Sequence, residues 1–212
     1  MRVLALDLST HTGFAILEGE MGTKPKRLVS GTIDLDKPLF AFGSYPHNYR
    51  KAAAHMARQI YATAIIDDRA PPDAIVVEEI NSGRSRYVQK MLENIHTAVL
   101  VHFDAVLPRT KIVYLNSDGA DGWRTNIGLT MSKEQKKANA KLSKAKRAAS
   151  DSGTRLDKKR LGIKGKVTKK HLAVIRANVD FGLGLKQKDN NEADALLLGL
   201  AFFNNATPCT GE

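Results

Sequence analysis

Apolar and polar residues alternate along the chain in blocks that predict a succession of strands and helices. Three short apolar stretches, at about 2–8, 13–18 and 27–35, are separated by glycine and proline and predict consecutive strands. Their short connections favour an antiparallel meander. A helix is expected over about 47–67, and the continuous apolar run 74–79 predicts a strand covered on both faces.

The second half of the chain continues this alternation. A helix over 85–106 carries an apolar stripe with helical spacing, which predicts a core or dimer-interface face. The remaining expected elements are a strand over 111–115, a glycine-containing loop over 116–130, and helices over 132–149, 168–180 and 190–205. This order predicts an α/β fold of the RNase H-like type, with a mixed sheet (a three-strand antiparallel meander plus parallel strands) flanked by helices.

Positive charge is concentrated in one segment. The chain of 212 residues carries a net charge of +11. From Met131 to His171 there are 15 Lys and Arg against 3 Asp and Glu, whereas the rest of the chain has 18 and 19. Such a segment favours a polyanionic partner, above all nucleic acid, although a solvated linker is the alternative. We expect one domain over 1–212 with a basic insertion at 131–166.

Cysteine content and hydropathy indicate the compartment. Cys209 is the single cysteine, which excludes a disulfide framework and fits a reducing environment. The first apolar stretch lacks the form of a signal peptide, and no stretch approaches the roughly 18 apolar residues of a membrane span. We therefore expect a cytoplasmic protein with no membrane association.

Three carboxylates occupy positions where burial should disfavour them. Asp7 ends the first strand, Glu78 ends the run 74–79, and Asp194 opens the last apolar helix. An unpaired buried charge is costly, so such groups are paired, neutralised or bound to metal. In the expected sheet the first and fourth strands can be neighbours, which predicts a shared Mg²⁺ site in which Mn²⁺ can substitute. Two such ions about 4 Å apart promote phosphodiester hydrolysis.

Each acid also has an ordinary interpretation. Asp7 can cap the following turn, and Asp194 can be a first-turn helix acid favoured by the helix dipole. Glu78 can pair with a nearby arginine, and its neighbour Glu79 points to the opposite face of the strand, so the two are open to exchange.

The residues around the three acids resemble RuvC-type Holliday-junction resolvases. The stretch from Leu4 to Ile16 is similar to the first two strands of that family. Ile75 to Glu79 resembles its second acidic motif, and Glu192 to Gly199 resembles its C-terminal motif. The added length and the loop residues Gly122, Trp123 and Arg124 look more like phage-encoded members, which implies the host cytoplasm.

The resemblance implies a metal-ligand set. Asp7, Glu78 and Asp194 would be ligands and catalytic residues. The family's fourth ligand lies three residues before the last acid, where this chain has Asn191, an uncharged residue. We favour Glu192 as the substitute, although Asn191 itself and Asp189 remain candidates.

The resemblance also implies contacts with DNA. A family lysine near the scissile phosphate aligns best with Lys169, with Lys170 beside it, although a solvated lysine pair is an equal alternative. The family's junction contacts lie after the second acid, and the corresponding expected residues here are Arg84, Arg86, Tyr87 and Lys90. Tyr87 is expected to stack on an unpaired base, or otherwise to pack within the helix.

The resulting expectation is a Mg²⁺-dependent endodeoxyribonuclease, a crossover junction resolvase that cleaves Holliday junctions and other branched DNA in recombination and repair. A two-fold-symmetric junction needs two nicks, which predicts a homodimer. The alternatives are a non-catalytic nucleic-acid-binding protein with a degenerate site, which Asn191 allows, and an actin-like ATPase or phosphotransferase, which shares the turn between Asp7 and Gly13.

Overall fold

A mixed five-stranded sheet forms the centre of the computed structural model, which describes residues 1–35, 47–65, 70–80, 85–117, 119, 121–152 and 166–204. The strands are β1 (Arg2–Asp7), β2 (His11–Glu18), β3 (Lys26–Asp34), β4 (Ala74–Glu78) and β5 (Lys111–Leu115). Their order in the sheet is β3-β2-β1-β4-β5. The β1–β2 and β2–β3 pairs are antiparallel, and the β1–β4 and β4–β5 pairs are parallel. The predicted RNase H-like α/β fold is confirmed.

Helices flank the sheet close to the expected positions. They are α1 (His47–Ile65), α2 (Arg86–Val106), α3 (Trp123–Asn126), α4 (Lys133–Asp151), α5 (Lys169–Phe181) and α6 (Asn190–Phe203). The short helix α3 lies where a loop was expected, and its first residue donates a backbone hydrogen bond to the carbonyl of Asn116 at 2.8 Å. Among the described helices, none combines the length with the apolar character that crossing a membrane requires.

Alternation along each strand builds two cores, one on either face of the sheet. Leu4 and Leu6 face α1 and α2, where Leu92, Ile95 and Val99 of the predicted α2 stripe are buried in the core, whereas Val88 and Met91 are half-buried. Val3 and Ala5 face the opposite way, into a core that contains α6 and parts of α3 and α5. The helix α6 is apolar almost all round and is buried along most of its length, which makes it the central helix of this second core.

Two glycines let α6 approach the sheet. A Cβ at Gly13 would lie 1.9 Å from the backbone oxygen of Asn191, and a Cβ at Gly199 would lie 2.5 Å from Cδ1 of Leu17. The contact at Gly13 is with backbone, so this position requires glycine at the observed helix-to-sheet spacing, whereas a side chain at Gly199 would force the buried Leu17 side chain to shift. The first turn of α6 is thereby held directly against β2.

The basic helix α4 is fixed at its start and along one side. Its N-cap is Ser132, whose hydroxyl accepts from the backbone N–H of Gln135, while the Gln135 side chain accepts from the N–H of Ser132. Leu142 is its buried residue, and the Asn139 side chain bonds both the N–H and the C=O of Val167. The remainder of the predicted insertion, 153–165, lies outside the described residues.

Candidate active site

Side-chain alternation along β1 and β4 places Asp7 and Glu78 on one face of the sheet. β1 and β4 are parallel neighbours whose last paired residues are Leu6 and Val77, so the next residue of each strand is a carboxylate. Side chains alternate along a strand, so Asp7 shares the face of Ala5, whose Cβ lies against Gly199 of α6. Glu78 is directed to the same side, whereas Glu79 is exposed. The carboxyl ends of neighbouring parallel strands thus present two acids together.

The first turn of α6 brings the third acid to the same place. Asp194 is only 2% exposed, and its Oδ1 atom is buried without a hydrogen-bond partner. All three carboxylates line one cavity of about 600 Å³. The other lining residues are Leu8, Ser9, His11, Thr32, Asp34, Arg124, Lys170, Lys188, Asn190 and Asn191.

A buried guanidinium group bridges two of the acids. Arg124 Nη1 donates to Glu78 Oε1 at 2.8 Å, and its Nη2 donates to Glu78 Oε2 at 3.2 Å. The same Nη2 lies 3.6 Å from Asp194 Oδ1, an ion-pair contact longer than a hydrogen bond. Arg124 also stacks over the ring of Trp123, with 4.2 Å between its Cζ and the ring centroid.

The crowding of negative charge shifts the acidity of the cluster. Burial, reinforced by Glu78 and Asp194, raises the pKa of Asp7 to about 7. Burial also raises the pKa of Asp194, although Arg124 offsets part of this effect. Burial alone would lower the pKa of Arg124, but Glu78 and the other acids outweigh it and raise that pKa further. The negative charge of the three acids is therefore only partly compensated by solvation and by nearby cations.

A lysine enters the cavity from the start of α5. Lys170 Nζ donates to Asn190 Oδ1 at 2.6 Å and to Asn191 Oδ1 at 3.1 Å. Thr168 caps α5 by accepting from the backbone N–H of His171, which fixes where the first turn begins. A cation at this helix start opposes the helix dipole, and an anion bound beside it would remove that mismatch.

A histidine–carboxylate pair forms part of the cavity rim. His11 Nδ1 lies 2.6 Å from Asp34 Oδ1, and both side chains are more than half exposed. The two residues face each other across β2 and β3, because they are register partners in that antiparallel pair. Exposed pairs of this kind contribute little to stability, but they bring polar groups to the mouth of the cavity.

Comparison with solved structures gives this arrangement a known fold. A structure of T. thermophilus RuvC bound to a Holliday junction substrate matches with a TM-score of 0.57 and 15% identity, over 98% of this chain and 99% of that chain. A second Thermus thermophilus RuvC structure matches with a TM-score of 0.55 and 15% identity over the same shares. The yeast mitochondrial Holliday junction resolvase Ydc2 matches at 0.50 and 12%, over 96% of this chain and 78% of that one. The chain has a RuvC-like fold.

This RuvC-like fold confirms the resemblance in the three acidic motifs at the level of the fold. By sequence, no family model and no curated protein matches the chain. The sequence signal for this particular fold therefore lay in the short motifs around Asp7, Glu78 and Asp194, and the structure brings all three acids to one cavity.

Two of the candidate fourth ligands have other partners in the RuvC-like fold. Glu192 Oε1 accepts from the Ser30 hydroxyl at 2.6 Å and lies 3.9 Å from Arg27 Nη2, beside β3. Asp189 Oδ2 accepts from the backbone N–H of Lys186 at 2.8 Å. Neither side chain is among the residues that line the cavity, whereas Asn191 is. The roughly 200° between Glu192 and Asp194 on α6 accounts for this separation.

The expected DNA contacts are distributed over several surfaces of the RuvC-like fold. Lys170, and not Lys169, is among the residues that line the cavity. Arg86, Tyr87 and Lys90 lie exposed in the first turns of α2, where the hydroxyl of Tyr87, 58% exposed, is 3.4 Å from that of Tyr49. Arg84, also expected to contact DNA, lies outside the described residues.

Sequence reasoning missed Arg124 as a member of the site. The residue was noticed only in the loop pattern that it forms with Gly122 and Trp123, and the loop gave no periodicity from which to predict its direction. Charge balance could have predicted a basic residue in the site, since three buried carboxylates require a cation near them. A basic residue beside the fully buried Trp123 was suited to that position.

Proposed function

We propose that the chain is a metal-dependent endonuclease that cleaves phosphodiester bonds in four-way junctions and other branched DNA. The observation that carries this proposal is the convergence of Asp7, Glu78 and Asp194 on one cavity together with three cationic side chains, those of Arg124, Lys170 and Lys188. RuvC and Ydc2, the proteins whose fold it shares, are described as Holliday junction resolvases or as bound to Holliday junction substrate. The likeness of fold supports the choice of substrate class.

The donor set suits a hard divalent cation. Carboxylate and amide oxygens are the ligands that Mg²⁺ and Mn²⁺ prefer. Asp194 Oδ1 is buried without a hydrogen-bond partner and has only the longer ion-pair contact with Arg124. Together with the raised pKa of Asp7, this indicates negative charge that lacks a full complement of positive partners. Within the described part of the chain, no three acidic, histidine or cysteine side chains converge closely enough to hold a metal ion as they stand. Arg124 lies between two of the acids and contacts both Glu78 and Asp194.

The chain's own residues take distinct roles in this proposal. Asp7, Glu78 and Asp194 would hold the divalent cations, with the amide oxygen of Asn191 at the position of the fourth ligand. When bound, such ions supply activation of a water and stabilisation of the leaving oxygen. Lys170, in the first turn at the capped start of α5, is placed to bind a phosphate of the cleaved strand.

The exposed side of α4 supplies a surface for duplex DNA. Six basic side chains fall within an arc of about 140° on this helix, centred opposite Leu142. They are exposed and extend over about 21 Å along the helix axis. We call them the basic ridge, and its members are Lys133, Lys136, Lys137, Lys141, Lys144 and Arg147. Contacts of this type supply affinity without sequence information, which suits a protein that selects DNA by shape.

A homodimer is part of the proposal. A four-way junction is two-fold symmetric, and resolution requires a nick in each of two strands. One copy of the chain offers a single such cavity among its described residues. Light scattering of the chain with and without a junction measures this state directly, and a 2:1 complex is the expected stoichiometry.

The test is cleavage of a synthetic four-way junction beside a linear duplex of the same sequence, with Mg²⁺ or Mn²⁺. We expect paired symmetric nicks on the junction and none on the duplex. Asp7→Asn should abolish cleavage while leaving junction binding intact. The matched control is Asp104→Asn, which removes an exposed carboxylate of α2 and should cleave like the wild type.

The outcomes separate the proposal from its closest competitor. A non-catalytic junction-binding protein is favoured by the bidentate bond between Arg124 and Glu78 and by the uncharged Asn191. Junction binding with no cleavage of any branched or flapped DNA in either metal would establish that competitor. Cleavage that survives Asp7→Asn would place the chemistry elsewhere and overturn the proposed site.

A further inference from the structure

The guanidinium group of Arg124 is placed where it competes with a bound cation. It engages both carboxylate oxygens of Glu78 and also contacts Asp194, so two of the three acids already have a positive partner. Its side chain is 14% exposed, as is that of Glu78, so water screens the pair only weakly.

We infer that Arg124 is a displaceable internal counter-cation, which holds Glu78 until a divalent cation takes its place and thereby sets how tightly the cavity binds that cation. The inference rests on the proposed function, because it takes Glu78 as a ligand of the cation. It adds a residue that positions and tunes the site, beyond the three acids themselves.

Competition between Arg124 and a metal ion follows from the bond geometry together with charge. The fork of two hydrogen bonds takes one in-plane lone pair of each Glu78 oxygen and blocks bidentate approach of a metal ion from that side. A divalent cation bound to Glu78 would also lie close to the positive Arg124 guanidinium, and the two like charges would repel strongly in this poorly solvated site. Glu78 therefore exchanges one cation for the other, and removal of Arg124 should strengthen binding of the divalent ion.

The local structure allows the exchange without unfolding. Trp123 is fully buried and fixes the backbone of α3 in the core. The Arg124 guanidinium lies at the end of four rotatable bonds and stacks on that indole ring. Once released from Glu78, the group can stay at the cavity wall, where an anionic phosphate is its natural next partner.

A permanent bond is the opposing possibility. Arg124 would then orient Glu78 as a fixed structural pair, and Glu78 would not be a ligand at all. Breaking a buried pair by removing one partner is destabilising in either case. Stability alone therefore does not distinguish the two, and the affinity for the divalent ion does.

The experiment measures Mn²⁺ binding to the DNA-free full chain by isothermal titration calorimetry. Arg124→Gln should lower the Kd for Mn²⁺ by about tenfold, which is about 1.4 kcal/mol. Arg124→Lys keeps a charge but loses the fork, and its Kd should fall between those of Arg124→Gln and the wild type. The matched control is Arg109→Gln, because Arg109 is an exposed arginine that does not line the cavity.

A double variant identifies the carboxylate involved. In the Glu78→Gln background, Arg124→Gln should no longer strengthen Mn²⁺ binding, because the acid for which the two cations compete is gone. Persistence of the full effect in that background would contradict competition at Glu78.

Each outcome either supports or overturns the inference. Unchanged or weaker Mn²⁺ binding by Arg124→Gln, with thermal unfolding showing a folded protein, overturns the inference and leaves the proposed nuclease standing. If Arg124→Gln does not fold, the Kd of Arg124→Lys decides between competition and a fixed pair in the same way. Absence of Mn²⁺ binding by the wild type and by both Arg124 variants overturns the inference and the metal-dependent function together.

Discussion

The backbone oxygen of Asn191 occupies the space in which a side chain at Gly13 would stand. Gly13 is also the register partner of Asp7 across β1 and β2. The contact therefore ties Gly13, which lies opposite Asp7, to the first turn of α6, which carries Asp194. The spacing between two acids in the cavity depends on the absence of one methyl group.

Gly13→Ala should damage the site more than the overall fold. An ideal Cβ would lie 1.9 Å from Asn191 O, and overpacking of this kind typically costs about 1–3 kcal/mol. We expect a lower Tm and a cleavage rate reduced by more than the stability loss explains, because α6 must move away from Asp7. Gly184→Ala is the control, since nothing lies within 4 Å of its Cβ position. Equal effects of the two substitutions would contradict this role for Gly13.

The raised pKa of Asp7 predicts a pH-dependent gain in stability for Asp7→Asn. In the unfolded chain the carboxyl has its ordinary pKa of 3.8, and in the folded protein the pKa is about 7 because of burial and its acidic neighbours. Between these two values the folded state binds the extra proton, so wild-type stability falls as pH rises and then levels off above about 7. Asparagine has no such dependence.

Calorimetry in EDTA checks this prediction. The stability difference between Asp7→Asn and the wild type should be small at pH 4 and should grow to about 1–4 kcal/mol at pH 8. Mn²⁺ at pH 8 should then stabilise the wild type more than the variant. Asp104→Asn serves as the control, and a difference that stays constant from pH 4 to pH 8 would contradict the raised pKa.

Lys170 and Lys169 should differ in their effect on cleavage. Lys170 lines the cavity and contacts Asn190 and Asn191, so Lys170→Gln should slow junction cleavage by about 10²–10³-fold at saturating DNA. Lys169→Gln should lower kcat by less than about tenfold, although both variants lose one positive charge. Single-turnover kinetics separate this from binding. A larger effect at Lys169 would return the catalytic assignment to the residue that the sequence favoured.

Substitutions in the basic ridge should lower the salt dependence of DNA binding. Replacing Lys137, Lys141 and Lys144 by Gln removes three charges from its centre. The slope of log K against log salt should decrease by about 2–3, because each phosphate contact contributes about 0.9. The control triple variant changes the exposed Lys24, Lys51 and Lys111, which lie outside α4. An equal loss of slope in the control would show that total charge, and not the ridge, governs binding.

The fold was largely predictable from the sequence because its signals are local. Apolar periodicity predicted each strand and each long helix of the described regions to within a few residues. Alternation along β4 was enough to predict that Glu78 and Glu79 point to opposite faces, but both faces of the strand are covered, so the choice of Glu78 needed the structure. Periodicity and alternation depend on residues only a few positions apart, so their pattern can be read from a single sequence.

The membership of the site was less predictable because it depends on contacts between distant segments. Arg124 reaches Glu78 from 46 positions away, out of a loop with no periodic pattern. Glu192 was favoured as a ligand on charge alone, yet the structure pairs it with Ser30, 162 positions away on β3. Ideal helix spacing already turns Glu192 about 200° away from Asp194, so the preference for Glu192 went against a signal that the sequence contained. The partner of Glu192 on β3, in contrast, has no local signal.

The two hydrogen bonds between Asn139 and Val167 connect the basic helix α4 to the start of α5. They join the middle of α4 to the residue just before the cap of α5, three positions ahead of Lys170. If the proposed function holds, a duplex bound on α4 would also act on the turn that positions Lys170. Binding of a DNA arm and alignment of the proposed cleavage site would then be mechanically coupled.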